Sequence, residues 1–128
     1  MSPTLLIFIA FGGAVGAVGR YIVTSAAGHW LGHGFPFGTI IVNVVGSFIL
    51  GALLEVMALA WSPGENLRAF FVIGMMGAFT TFSTFSLDTI TLIERGELVS
   101  AAGYIGGSVL LSVAAFFCGM VFFRHFLP

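Results

Sequence analysis

The chain has 128 residues, of which 59% are hydrophobic and 7% charged, whereas a soluble domain is usually about 25% charged. Its mean hydropathy of +1.13 places it in a membrane. Four arginines, no lysine and five acids give a formal net charge of -1, which leaves no basic patch for nucleic acid.

The single cysteine, Cys118, lies in an apolar run. It excludes an intrachain disulfide and a cysteine-based metal site, and reads as a small buried hydrophobe.

The opening MSPTLLIFIAFGG has the apolar core of a leader but no preceding positive charge and no convincing cleavage site, so it reads as a retained first span. That span covers about residues 4–24. Gly12 and Gly16 form a small-xxx-small face that permits close helix approach. Arg20 is the first ionisable group, and it either snorkels to an interface or faces a polar vestibule, where it would attract anions. Residues 26–37, AAGHWLGHGFPF, read as a glycine-rich connection with Trp30 at headgroup level. His29 and His33 are four apart and could share a helical face, but two ligands alone make a weak metal site.

Span two covers residues 38–60. Thr39, Asn43 and Ser47 step by four, so their side chains share one face. The Asn43 amide needs partners, since leaving them unmade costs about 1–3 kcal/mol. It either joins two spans by an interhelical hydrogen bond or offers its NH2 group to an anion in a pore. Glu55 reads as interfacial. WSPGEN at 61–66 is a turn, with Pro63 and Gly64 as breakers.

Span three runs over residues 67–93 and contains GMMGAFTTFSTFS at 74–86. Two glycines, five hydroxyl residues and Phe79, Phe82 and Phe85 at every third position interrupt an apolar run. Non-helical backbone at membrane depth requires protein or a water-filled cavity around it, so this stretch reads as a broken helix or a polar helix interface. Asp88 is expected near the second membrane surface. After ERGE at 94–97, span four covers residues 100–123, with Tyr104, Ser108 and Ser112 as a second polar ladder and Gly103 and Gly107 as a close-packing pair.

The fold class is therefore an all-α membrane protein, a single four-span domain over residues 1–128 with span three broken near its middle. Arg68 and Arg124 fall on one side of the membrane and Arg20 and Arg95 on the other, so the positive-inside rule gives no orientation. Such a chain can insert both ways, and two copies can pack antiparallel as a homodimer. Polar ladders with abundant donors and no obvious buried carboxylate suit an anion path. An enzyme has no support, for the sequence holds no activated nucleophile pair, metal cluster or phosphate loop. A small multidrug-type proton-coupled exchanger and a non-transporting membrane assembly protein are the competing classes.

GGAVGAVGRY at 12–21, FGTIIVNVVGSFILG at 37–51 and GMMGAFTTFSTFS at 74–86 together resemble the CrcB/Fluc family of small fluoride channels, over nearly the whole chain. The resemblance implies an antiparallel, dual-topology homodimer in the inner (plasma) membrane, with two pores conducting fluoride passively and selectively. Its role would be export of fluoride that enters as the neutral acid. It implies Asn43 as a pore-facing donor, Phe82 and Phe85 as ring edges along the ion path, and Tyr104, Ser108 and Ser112 as a polar track, with Thr39 beside Asn43. It also implies a structural sodium ion at the dimer centre, held by the backbone carbonyls of Gly77 and Thr80 from both subunits. Arg20 would act near the vestibule or in stabilising the assembly.

Overall fold

In hydrocarbon, backbone N–H and C=O groups must be satisfied within the protein, and apolar stretches of this length meet that demand as helices. The computed structural model describes residues 1–127. In chain order it comprises α1 (Pro3–Leu31), α2 (Phe37–Leu59), α3 (Glu65–Arg68), a π-helical segment (Ala69–Met76), α4 (Gly77–Phe79), α5 (Phe82–Glu94) and α6 (Leu98–Phe126). Four of its helical stretches are long and apolar enough to cross a membrane, the third being the composite Glu65–Glu94. The four expected spans are thus present, and the third is bent near its middle.

Local chemistry sets the helix ends. Ser2 begins α1 by accepting the Leu5 N–H at 3.0 Å, with Pro3 following at a position where no donor is needed. The expected end of span one near residue 24 is too early, because α1 continues through His29 and Trp30 to Leu31. Nothing in residues 26–31 forbids helix. The stop comes at Gly32, whose φ of 86° suits glycine alone. His33 therefore lies beyond the helix and does not share a helical face with His29. Span four also exceeds its expected limits, running from Leu98 to Phe126.

Helix packing is organised by backbone-to-backbone contacts that only glycine permits. On α1, a Cβ at Gly12 would overlap the Phe70 carbonyl and one at Gly16 the Met75 carbonyl, while Gly74 faces Ile9 and Gly13 in return. The small-xxx-small face of α1 thus receives the π-helical segment. The second close pair joins α2 to α6, where Gly51 lies against the Phe116 carbonyl and Gly119 against the Phe48 carbonyl. The pair on span four, Gly103 and Gly107, makes no close crossing within the chain: nothing lies within 4 Å of a Cβ built at either. A small residue grants permission for close approach, and the crossing point of α2 and α6 lies farther along at Gly119. Cys118 is exposed on α6, contrary to its reading as a buried hydrophobe.

A small core closes one end. Tyr104 and Leu92 are almost fully buried with Ala101, and Phe35, Ile40 and Phe85 pack around them. The Tyr104 ring meets Phe35 edge-on at 5.6 Å and Phe85 at 5.2 Å, within the favourable range for aromatic pairs. This cluster fixes α5 against α6 and holds the start of α2 over both.

Candidate functional site

The site begins at the bend in span three. Thr80 (φ -84°, ψ 157°) and Thr81 (φ -151°, ψ 124°) are extended, and α5 restarts at Phe82. Asn43 of α2 holds this interruption with both ends of its amide. Its Oδ1 accepts the Thr81 N–H at 2.8 Å, and its Nδ2 donates to the Thr81 carbonyl at 3.0 Å. Thr81 Oγ1 then caps α5 by accepting the Thr84 N–H at 3.2 Å. The interhelical bond anticipated for Asn43 is present, made to backbone rather than to a side chain.

These bonds divert donors from their helical acceptors. In a continuous helix the Thr81 N–H would bond the Gly77 carbonyl and the Thr84 N–H the Thr80 carbonyl. Here both donors are taken elsewhere, so both carbonyls are released. The intervening Ala78 carbonyl accepts from Arg20, whose Nε donates to it at 3.0 Å. Arg20 reaches inward to the bend instead of snorkelling freely, and it also lines a polar cavity.

That first cavity, about 290 Å³, opens between the end of α1, the start of α2 and the face of α5. Arg20, His33, Arg95, Asp88, Thr39 and Thr81 are among its walls. Arg95 also donates to the Gly34 carbonyl at 3.1 Å, tying the two loops at this end together. Asp88 is bonded within the bundle. Its Oδ2 accepts from Thr39 at 2.7 Å and from Tyr104 at 2.9 Å, joining α2, α5 and α6 at one carboxylate oxygen.

A second cavity of about 300 Å³ continues past Thr81. Asn43 and Ser47 of α2, Phe82 and Phe85 of α5, and Ser108 and Ser112 of α6 line it. Five of the seven residues expected along an ion path are therefore brought together. Thr39 lies in the first cavity, and Tyr104 is fully buried behind Phe85, so neither contributes to this wall. The Phe82 and Phe85 rings are 5.4 Å apart, and Phe82 remains 77% exposed, turned away from the rest of its own chain.

The serines are the unusual members. Hydroxyls on membrane helices commonly bond the carbonyl one turn back, as Thr80, Ser86, Thr89 and Thr91 do here. Ser108 Oγ and Ser112 Oγ are buried without any hydrogen-bond partner. An unmade bond of this kind costs about 1–3 kcal/mol, so two in one wall are exceptional. Such hydroxyls are available as donors to whatever enters the cavity.

Elsewhere, Glu55 is only 7% exposed and paired in two places with Arg124, at 2.8 and 3.3 Å. This pair ties the far ends of α2 and α6, so the carboxylate is committed to a partner. Among the described residues, no three His, Cys, Asp or Glu side chains lie close enough to hold a metal ion. Thr81 and Asp88 are the site residues that sequence reasoning underused. For Thr81 a signal existed, since threonine is a favoured N-cap residue at a helix start. For Asp88, both partners are distant in sequence and no local pattern reveals them.

Four long apolar spans, the third bent near its middle and held there by Asn43, with amide and hydroxyl groups lining open pockets between them, define a small multi-pass membrane protein. Residues 7–120 match the family model described as CrcB-like protein, Camphor Resistance (CrcB), and the chain belongs to this family. It is 49% identical to the "Fluoride-specific ion channel FluC" of Nitrobacter winogradskyi, over 97% of this chain and 98% of that protein. The proteins of the same name from Rhodospirillum centenum and Rhizobium johnstonii are 47% and 48% identical, over 94% and 92% of this chain and 95% and 94% of theirs.

Proposed function

We propose that this protein is a passive, fluoride-selective channel of the inner membrane, working as an antiparallel dual-topology homodimer and releasing fluoride accumulated in the cell. One observation carries the reading: two buried, unpartnered hydroxyls, Ser108 and Ser112, share a cavity with the Asn43 amide and the Phe82 and Phe85 rings. The names borne by relatives that align with almost the whole chain agree with it.

The physical task is dehydration. Fluoride is small and strongly hydrated, and a pore must replace its water with donors already in place. Hydrogen bonds to a charged group contribute about 1.5–3 kcal/mol each, so a few fixed donors offset much of the lost hydration. One Asn43 N–H holds Thr81, which leaves the other to serve the ion. Ring edges carry partial positive charge and line the path without binding tightly. Arg20 and Arg95 around the first cavity raise the local anion concentration. Thr39 and Tyr104 act at one remove, by fixing the Asp88 carboxylate away from the ion.

The dimer completes the path. Phe82 at 77% exposed is too open to confine an ion within a single subunit, and a second copy supplies the missing wall. With Arg20 drawn in to the bend, Arg68 and Arg124 on one side face Arg95 on the other, a bias weak enough to permit that copy to insert the other way. The released carbonyls of Gly77 and Thr80 fit a structural sodium ion, as carbonyl oxygen is a suitable donor for a hard cation and Gly77 is exposed. When bound, sodium would supply positive charge that satisfies these acceptors and joins the subunits.

The reading is tested with purified protein in fluoride-loaded liposomes. Rapid fluoride efflux without an imposed proton gradient, with negligible chloride efflux, is the expected result. Transport of a lipophilic cation that requires Asp88 or Glu55 would replace the channel by an exchanger, and no flux from a well-folded dimer would leave an assembly protein. Exchange of sodium for N-methylglucamine during purification should lower both the thermal stability of the dimer and its fluoride flux. Indifference to that exchange would remove sodium from the proposal.

A further inference from the structure

The next polar step on α2 after Asn43 is Ser47, and unlike Thr39 and Asn43 it lines a third pocket. A third, open pocket of about 310 Å³ adjoins and overlaps the second, lined by Ser47, Ser112, Val113 and Phe116. Ser47, Ser112 and Val113 belong to the walls of both cavities, and they are the residues the two have in common. The two serines face this junction from opposite helices, α2 and α6, and Val113 is its apolar member. Ser112 Oγ is buried with no partner of its own.

We propose that Ser47 is a further ion-contacting residue of the path: with Ser112 it forms a two-hydroxyl gate between the second and third cavities, passing a dehydrated anion from one to the other. The inference rests on the fluoride reading above and extends the path beyond Asn43. Its physical basis is continuity of donors. An anion that leaves the Asn43 amide and the Ser108 hydroxyl enters a junction where Val113 and Phe116 offer it nothing strong. Ser112 alone supplies one hydroxyl proton, from one side. A second hydroxyl on the facing helix keeps the ion bonded from both sides while it moves, which avoids a high point in the energy profile.

Valine and threonine make the test clean, because they have almost the same shape and differ by one hydroxyl in place of a methyl group. Fluoride efflux is measured for the wild-type dimer, Ser47→Thr and Ser47→Val, each confirmed as a dimer by size-exclusion chromatography. Ser47→Thr should retain flux within about threefold of wild type, while Ser47→Val loses about tenfold or more, the effect of one charge-assisted hydrogen bond. Ser47→Ala, which adds no bulk, should fall with valine and not with threonine. Equal flux through the threonine and valine variants, at any level, overturns the assignment, as does wild-type flux through alanine. The two layers separate cleanly: an inactive wild type overturns the fluoride reading itself, whereas an active wild type with indifferent Ser47 variants overturns only the gate.

Discussion

Replacing Asn43 by alanine is expected to reduce fluoride flux by about 10–100-fold and to destabilise the protein at the same time. Both effects follow from one side chain with two duties. The amide holds the Thr81 N–H at 2.8 Å and the Thr81 carbonyl at 3.0 Å, and it lines the second cavity. Interhelical hydrogen bonds in membrane proteins average only about 0.6 kcal/mol, because the unfolded chain in the membrane also finds partners. Two such bonds, plus an unsatisfied N–H left at the bend, give an expected loss of about 1–3 kcal/mol. The flux term is separate, since a donor to a dehydrated anion is worth about 1.5–3 kcal/mol and each 1.36 kcal/mol is about tenfold in rate. Asn43→Asp distinguishes the two duties. Its carboxylate still accepts the Thr81 N–H, but it has no donor for an ion and places negative charge in the path. Flux should therefore fall at least as far as in alanine. Stability is followed by thermal denaturation in detergent and flux by a fluoride electrode. Wild-type flux in a correctly folded Asn43→Asp dimer would show that the amide serves only the bend.

The part of this architecture legible in the sequence is the part written at helical spacing. Asn43 and Ser47 share a face because they are four apart, as do Ser108 and Ser112, and the structure points both pairs into one cavity. Gly12 and Gly16 were readable for the same reason, and α1 meets the third span along them. Spacing states what a helix can offer, and the partner must be found in three dimensions. Gly103 and Gly107 carry the same pattern and meet nothing within their own chain, while Gly51 and Gly119, on different helices, make the close crossing. The bend shows the same limit. The stretch 74–86 reads as broken, but its residues divide the work: Gly74 is a packing residue and the extended backbone falls on Thr80 and Thr81. Threonine tolerates extended geometry well, and what makes the interruption affordable in a membrane is Asn43, thirty-eight positions away. The π-helical turns of Ala69–Met76 have no local signal at all in an apolar run. Asp88 reads as lying near a membrane interface from its place beyond the hydroxyl cluster, and only the fold brings Thr39 and Tyr104 to it.

Ser108→Ala and Ser112→Ala are expected to move stability and function in opposite directions. A buried hydroxyl with no partner costs the folded state about 1–3 kcal/mol, and alanine removes the group that pays it. Each variant should thus be as stable as wild type or more so, by up to about 1 kcal/mol once the small loss of packing is set against the gain. Fluoride flux should instead fall by about tenfold for either serine and further for the pair, since each substitution deletes a donor that only the ion uses. An interior built solely as helix glue predicts the reverse: its serines would be bonded across the dimer, and alanine would lower stability. Thermal denaturation and electrode-measured efflux on the same preparations decide between them. Reduced stability with unchanged flux would reassign Ser108 and Ser112 to assembly. The expected pattern would identify them as groups whose bonding partner is the permeant ion, a local cost in stability kept for function.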